Sequence, residues 1–109
     1  MKILLTGMTG FVGFSVFNKL EELKLDPVTV VRSKERSGGA NKYFIIKEIG
    51  SKTDWSECLD GLGVIIHCAA RVHVMNELSA EPIDAFRKVN VGGTLGLARQ
   101  AMNVGVKRF

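Results

Sequence analysis

Thr6-Gly7-Met8-Thr9-Gly10-Phe11-Val12-Gly13 follows the apolar run Ile3-Leu4-Leu5 and leads into an amphipathic stretch. Glycines at this spacing, between a strand and a helix, are typical of a turn that binds a dinucleotide pyrophosphate. We expect Gly7 to permit the tight turn, Gly10 to let the backbone approach the phosphates, and Gly13 to let the helix pack against the strand. The helix N-terminus would offer N–H groups to the anion. The predicted cofactor contacts are Gly7, Thr9, Gly10, Phe11, Val12 and Gly13.

The rest of the chain alternates short apolar runs with helical patterns. Strands are predicted at residues 2–6, 28–31, 43–46 and 64–67, with a fifth beginning at 106. Helices are predicted at residues 11–25, from 54 to about 61, and from 82 to about 103. Such alternation predicts an α/β fold. We expect the N-terminal half of a Rossmann-like doubly wound parallel sheet, strand order 3-2-1-4, with flanking helices.

The fourth strand would lie at an edge of this half sheet, although it is central in a complete one. Exposed edge strands pair readily with other chains. We therefore expect a homo-oligomer formed through the exposed sheet edge, or exchange of elements or aggregation.

Local signals predict the faces and ends of the helices. The predicted buried face of the first helix consists of Val12, Val16, Leu20 and Leu23. Asp54, with Glu57 three residues later, resembles a capping box. Pro82 suits a first helical turn, and Gly105 suits a C-cap.

The chain has 109 residues, of which 46% are hydrophobic, and a net charge of +4. This length suffices for one domain, predicted to span residues 1–109. No run approaches the ~18 apolar residues of a membrane span, and because the sequence starts with a strand-like segment we expect no signal peptide. Cys58 and Cys68 lack a scaffold spacing, which favours reduced thiols in a cytoplasmic protein without a membrane partner.

Positive charge is concentrated between residues 32 and 47, where Glu35 is the one acidic residue. The basic residues are Arg32, Lys34, Arg36, Lys42 and Lys47. Nucleic-acid binding is one interpretation of such a stretch. Its aromatic residues, Tyr43 and Phe44, lie in a strand-like run, so no nucleic-acid partner is predicted. A solvated loop that also faces a phosphate fits the pattern better.

Arg32 lies nineteen residues after Gly13, where an NAD site has an Asp or Glu for the ribose hydroxyls. An arginine there suits a ribose 2′-phosphate, which it can grip with two hydrogen bonds. We predict that Arg32 and the adjacent Ser33 contact the cofactor, with NADP favoured and NAD possible. The alternative is that Arg32 is only a solvated residue at a strand end.

Three segments together resemble a known family: the glycine turn at 6–13, Val64-Ile65-Ile66-His67-Cys68-Ala69-Ala70, and Asn90-Val91-Gly92-Gly93-Thr94. They are similar to the extended short-chain dehydrogenases/reductases, the NAD-dependent epimerase/dehydratase family, many of which act on nucleotide sugars. Segments 53–55, 70–76 and 105–109 look closest to UDP-hexose 4-epimerase-like and reductase-like members of bacterial surface-polysaccharide pathways.

The resemblance implies roles for particular residues. Glu48-Ile49 stands where the family usually has Asp and an apolar residue against the adenine. Ala69 and Ala70 would pass beneath the cofactor ribose. Asn90 would help to organise a proton relay, although a buried asparagine is equally a structural bridge. Gly92 and Gly93 each cost about 1 kcal/mol in a helix, which predicts close approach to a neighbouring backbone.

A metal site at His67, Cys68 and His73 is not predicted, because the spacing fits no common zinc pattern. Moreover, adjacent residues on a strand point to opposite faces. Arg71 and His73 lie in a loop that faces either substrate or solvent.

Family members use a Ser or Thr and a Tyr-x-x-x-Lys pair for acid/base catalysis. Tyr43 and Lys47 match that spacing. In an extended strand they would be ~13 Å apart, whereas the pair works from adjacent helical turns, so we reject the match. We also expect the substrate-binding region to be absent from these residues.

The favoured hypothesis is the NAD(P)-binding portion of a nucleotide-sugar epimerase, dehydratase or reductase that acts by hydride transfer. The nucleotide sugar would be the partner of the complete enzyme, and this chain alone would be inactive. The alternatives are a non-catalytic dinucleotide-binding or redox-sensing module, and a structural remnant that binds nothing.

Overall fold

The computed structural model describes residues 2–71 and 82–109. The strands are β1 (Lys2–Thr6), β2 (Val28–Val31), β3 (Tyr43–Ile45) and β4 (Leu62–His67). The α-helices are α1 (Phe11–Glu22), α2 (Ser56–Leu59), α3 (Pro82–Arg87) and α4 (Thr94–Asn103). A 3-10 turn covers Lys34–Arg36, and a π-helical turn at Lys88–Gly93 joins α3 to α4. No helix in the described part of the chain could cross a membrane.

The four strands form one parallel sheet in the order β3-β2-β1-β4, which confirms the predicted fold class. Thr6 at the end of β1 pairs with Val30 of β2 on one side and with His67 of β4 on the other. The strand order therefore reverses at β1, with β2 and β4 on opposite sides. Ligands of doubly wound sheets bind beyond the carboxyl ends of the strands at such a switch point.

Side-chain alternation along the strands divides the core between the two faces of the sheet. On β1, Leu4 joins one cluster, whereas Ile3 and Leu5 join the other. The first cluster also contains Val28, Val30, Trp55, Cys58, Leu59, Leu62, Ile65, Leu97 and Ala101. The second also contains Met8, Phe17, Leu20 and Val31. The sheet is thus covered by α2 and α4 on one face and by α1 on the other.

Helix α1 ends at Glu22, three residues before the predicted end. Lys24 adopts a positive φ of 59° and its N–H donates to the Glu21 carbonyl, while the Leu25 N–H donates to the Leu20 carbonyl. These two bonds form a Schellman turn with lysine in the position that glycine usually takes. No sequence pattern marks this turn, because lysine rarely has that role.

The buried face of α1 also differs from the prediction. Gly13, Phe17 and Leu20 are buried, whereas Val12 and Leu23 are exposed. Close packing of Gly13 on the glycine turn sets the rotation of the helix, and Val12 is then directed to solvent. Leu20 is common to the predicted and observed faces, and Val16 is half-buried against the same core cluster.

The long helix predicted from Pro82 to Asn103 is present, but its middle widens into the π-helical turn. Its end is confirmed: Gly105 has a φ of 81°, and the Gly105 and Val106 N–H groups donate to the Met102 and Ala101 carbonyls. The predicted approach to a neighbouring backbone is found at Gly92, where a Cβ would lie 3.4 Å from the Ser51 nitrogen. At Gly93 the tight contact is instead with a side chain, because a Cβ there would lie 2.5 Å from Ile49 Cγ2.

Helix α2 begins one residue later than the capping-box pattern predicts. Trp55 is the N-cap residue, and the Asp54 carboxylate instead accepts a hydrogen bond from the Ser56 N–H at 2.9 Å. Hydrogen bonds from Ser56 lower the pKa of Asp54. Asp54 thus still satisfies an N–H group in the first turn.

Residues after α4 begin to pair with the outer edge of β4, as the predicted fifth strand requires. The Ile65 N–H donates to the Arg108 carbonyl at 3.0 Å, and the Lys107 N–H donates to the Gly63 carbonyl at 3.1 Å. This contact covers only part of the edge. Self-association through the remainder of that edge stays a prediction.

Candidate dinucleotide site

A cleft of about 590 Å³ opens beyond the carboxyl ends of the strands. It lies within the range of small-molecule sites, roughly 300–1,000 Å³. Its lining residues follow the ends of all four strands, so the parallel sheet itself assembles the site. From the predicted site, the lining includes Gly7, Thr9, Gly10, Phe11, Val12, Gly13, Arg32, Ile49, Ala69 and Ala70.

Two of the three turn glycines are required by packing within the protein. Gly7 has a φ of 79°, and a Cβ there would lie 2.5 Å from the Ala69 nitrogen. A Cβ on Gly13 would overlap the Gly7 carbonyl oxygen. Any side chain at either position would displace the backbone, so both glycines hold β1, β4 and α1 in close contact.

Gly10 has no such internal constraint. Its φ of −84° and ψ of 172° suit any residue, and a Cβ added there would have the Gly7 oxygen as its nearest neighbour, at 3.4 Å. Gly10 instead borders the cleft. A glycine that the fold does not require, placed at the wall of a cleft, keeps room there for a bound molecule.

The N-terminus of α1 faces the same cleft. Gly10 is its N-cap and supplies no capping side chain, and the first turn, which is fully described, carries no acidic residue. The first helical hydrogen bond runs from the Phe14 N–H to the Gly10 carbonyl, so Phe11, Val12 and Gly13 precede it. Their N–H groups and the positive end of the helix dipole suit an anion such as a pyrophosphate.

Three of the residues that line the cleft are basic. Arg32 follows β2, Arg36 lies in the 3-10 turn, and Lys47 follows β3; all three line the cleft. Among the residues that the structure describes, none that lines the cleft is acidic. The basic stretch predicted to face a phosphate therefore contributes three cations to the cleft lining.

Ile49 lines the cleft, but the predicted contacts Glu48 and Ser33 are not among the lining residues. Glu48 is exposed, and its carbonyl accepts a hydrogen bond from the Thr53 hydroxyl at 3.0 Å. That hydroxyl also accepts the Gly50 N–H at 2.8 Å. The resulting turn directs Ile49 inward and leaves the Glu48 carboxylate outside.

Ala69 and Ala70 line the cleft just after β4, together with Cys68. The Thr6 hydroxyl accepts hydrogen bonds from the Cys68 and Ala69 N–H groups, both at 3.1 Å. Thr6 at the end of β1 thus fixes the segment that follows β4. The small side chains of Ala69 and Ala70 leave space in the cleft beside that segment.

Asn90 lies in the π-helical turn and makes a two-point contact with the backbone of Arg71. Its Oδ1 accepts the Arg71 N–H at 2.8 Å, and its Nδ2 donates to the Arg71 carbonyl at 3.1 Å. The guanidinium of Arg71 lies 5.3 Å from the centre of the Phe86 ring. The structure therefore gives Asn90 a bridging role, and its part in a proton relay stays a prediction. His73 lies outside the described residues.

The two cysteines, Cys58 and Cys68, are free thiols, as predicted. Burial raises the pKa of Cys58 to about 11, so its thiol is unreactive at neutral pH. Burial lowers the pKa of His67, which favours the neutral imidazole. Within residues 2–71 and 82–109, no three His, Cys, Asp or Glu side chains meet as a metal site.

Sequence reasoning missed several cleft residues, including Arg36, Lys47, Cys68 and Val89. The basic stretch was a usable signal for Arg36 and Lys47, because it marked a loop facing a phosphate. No sequence signal marks Val89 as a cleft residue, since its placement depends on the π-helical turn.

Residues 3–109 match the NAD dependent epimerase/dehydratase family, and the chain belongs to that family. It is 44% identical over 111 residues to a UDP-glucose 4-epimerase of Vibrio cholerae, covering 98% of this chain and 33% of that protein. It is also 34% identical over 117 residues to a 3 beta-hydroxysteroid dehydrogenase/Delta 5-->4-isomerase of Mycobacterium tuberculosis, covering 99% and 30%. The chain thus spans about a third of the length of these relatives.

Solved structures show the same fold. A UDP-glucose 4-epimerase of Thermotoga maritima, solved with UDP-glucose, superposes with a TM-score of 0.75 at 25% identity, covering 98% of this chain and 36% of that one. A short-chain dehydrogenase/reductase superfamily protein of Agrobacterium tumefaciens with bound NAD gives 0.76 at 23% identity, covering 97% and 30%. At 23% identity, the likeness to the second structure shows the fold alone.

Proposed function

We propose that this chain is the NAD(P)-binding portion of a nucleotide-sugar epimerase, dehydratase or reductase that works by hydride transfer. The observation that carries the proposal is the cleft at the switch point of the sheet. The glycine turn, the first residues of α1 and three cations all line this cleft. A dinucleotide has a pyrophosphate that suits the glycine turn and the helix N-terminus, and an adenosine ribose that suits residues after β2.

In this proposal the cofactor and the protein have separate roles. The nicotinamide supplies the hydride chemistry, and the protein binds and orients the cofactor. The acid/base pair of the family is not expected within these residues. Tyr43 is the one tyrosine, and it lies on β3 rather than on a helix. We therefore propose that the 109-residue chain binds the cofactor without turning over a sugar nucleotide.

NADP is the favoured cofactor in this proposal. A ribose 2′-phosphate carries negative charge, and Arg32, Arg36 and Lys47 line the cleft that would receive it. The carboxylate that binds the ribose hydroxyls in NAD sites has no counterpart at position 32. Glu35, the nearest acid in sequence, is exposed and does not line the cleft.

Replacing Arg32 by Asp is expected to shift the cofactor preference towards NAD. The variant loses a charged hydrogen-bond donor to the 2′-phosphate and gains a carboxylate that repels it. Because such a bond contributes about 1.5–3 kcal/mol, the NADP/NAD affinity ratio should fall by roughly 10- to 100-fold. Fluorescence or calorimetric titration of both cofactors measures the ratio.

Arg99→Asp is the matched control, because Arg99 is exposed on α4 and does not line the cleft. It makes the same change in net charge, and the ratio should stay at the wild-type value. An unchanged ratio in Arg32→Asp would remove the basis for preferring NADP.

Bound dinucleotide is also expected to protect Cys68 from alkylation. Cys68 lines the cleft, whereas Cys58 is buried with a pKa of about 11 and provides an internal control. At a nucleotide concentration ten times Kd, mass action leaves about a tenth of the site empty, so Cys68 labelling should slow by about tenfold. Peptide mass spectrometry after timed exposure to iodoacetamide follows both thiols separately. Equal Cys68 rates with and without saturating nucleotide would contradict the proposed placement.

A further inference from the structure

His67 belongs to a chain of hydrogen bonds that links β1, β4 and α4. Its Nδ1 lies 2.7 Å from the Thr6 hydroxyl, and its Nε2 lies 3.2 Å from the Thr94 hydroxyl. The Thr94 hydroxyl in turn donates to the Asn90 carbonyl at 2.8 Å. The ring of Phe109 lies beside the imidazole, with a centroid distance of 6.1 Å.

The partners fix the direction of every bond in this chain. A hydroxyl accepts two hydrogen bonds and donates one. Thr6 already accepts the Cys68 and Ala69 N–H groups, so its own hydrogen goes to His67 Nδ1. Nδ1 is therefore unprotonated, and in the neutral ring the hydrogen lies on Nε2. That N–H then donates to the Thr94 hydroxyl, whose hydrogen is committed to Asn90.

The two ends of this series of hydrogen bonds hold the same segment, residues 68–71. Through Thr6 it fixes the amides of Cys68 and Ala69, and through Thr94 it fixes the backbone of Asn90, whose side chain grips Arg71. Residues 68–71 are thus held at both ends, and Cys68, Ala69 and Ala70 form one wall of the cleft.

We infer that His67 is a positioning residue: as a neutral Nε2–H imidazole it joins Thr6 to Thr94 and thereby holds residues 68–71 in place beneath the bound dinucleotide. This inference rests on the proposed dinucleotide site. If His67 only filled space, its tautomer would not matter, because an apolar ring of the same shape could replace it. A positioning role requires the Nε2–H tautomer.

The first test is nitrogen-15 NMR of the imidazole in a His73→Gln background, which leaves His67 as the sole histidine. The inference expects a single Nε2–H tautomer at neutral pH, with and without nucleotide. A protonated Nδ1, a charged ring or a mixture of tautomers overturns it.

The second test compares Thr94→Val with Thr94→Ser, since valine matches the shape of threonine and serine keeps its hydroxyl. We expect Thr94→Val to weaken NADP binding by about three- to tenfold and to speed solvent exchange of the Nε2 hydrogen. Thr94→Ser should retain the wild-type values. Equal affinities for the two variants overturn the inference. If the wild-type chain binds neither dinucleotide, the proposed function fails and the positioning role fails with it, whereas the tautomer measured by NMR is independent of that outcome.

Discussion

Gly13→Ala is expected to destabilise the fold more than any other single methyl addition in the glycine turn. The new Cβ would overlap the Gly7 carbonyl oxygen, a backbone atom that no side-chain rotation can move away. Overpacking against rigid structure costs about 3 kcal/mol at the upper end of the usual range. For a domain of this size that lowers Tm by roughly 10–20 °C, which thermal denaturation followed by circular dichroism measures.

Gly10→Ala is the matched control for this loss of stability. The added methyl is the same and lies only three residues away, but its nearest neighbour would be 3.4 Å distant and its φ is already negative. Alanine there also restricts the unfolded chain, so Tm should stay within a few degrees of the wild-type value. Equal Tm values for the two variants would show that α1 does not pack on Gly7 as described.

Gly10→Val is expected to abolish binding of both NADP and NAD while the fold survives. The backbone at Gly10 permits valine, and the side chain would enter the cleft where the pyrophosphate is proposed to lie. Loss of that approach should weaken binding of either cofactor by at least about 100-fold, or about 2.8 kcal/mol. Calorimetric titration of the folded variant measures the effect.

The cost to folding is small by comparison, because valine in place of glycine at an N-cap costs about 1 kcal/mol. Circular dichroism of the same sample confirms that the variant is folded. Wild-type affinity for both dinucleotides in a folded Gly10→Val protein would place the pyrophosphate elsewhere.

The sheet order and the packing of α1 could be predicted because each has a local signal in the sequence. Strand–turn–helix order and β-branched runs determine the sheet and its topology. The spacing of the glycines determines where α1 packs. These signals are local: Gly7 adopts a positive φ that few other residues tolerate, and Gly13 leaves no room for a Cβ.

Features that depend on distant contacts could not be predicted in the same way. The Schellman turn at Lys24 is local, but it could not be predicted either, because lysine has no special preference for it. The inward direction of Ile49 depends on a turn held by Thr53, whose carbonyl accepts a hydrogen bond from Gln100, 47 residues away. Glu48 and Ser33, chosen by position in the sequence, do not line the cleft, whereas Arg36 and Lys47 do.

The site at Asn90 combines both kinds of feature. Paired glycines in a helix predict close approach to a neighbouring backbone, which Gly92 and the Ser51 backbone show. The π-helical turn has no local signature, and the contact with Arg71 joins residues 19 apart in the sequence. The sequence singles out Asn90 as a polar residue in a helix, but only the fold shows which residue its side chain contacts.

Titration of the folded wild-type chain with NADP and with NAD, by calorimetry at fixed ionic strength, tests the central claim most directly. We expect each nucleotide to saturate one site, with tighter binding of NADP. Absence of saturable binding for both nucleotides, in a protein shown to be folded, would contradict the claim that this cleft is a dinucleotide site.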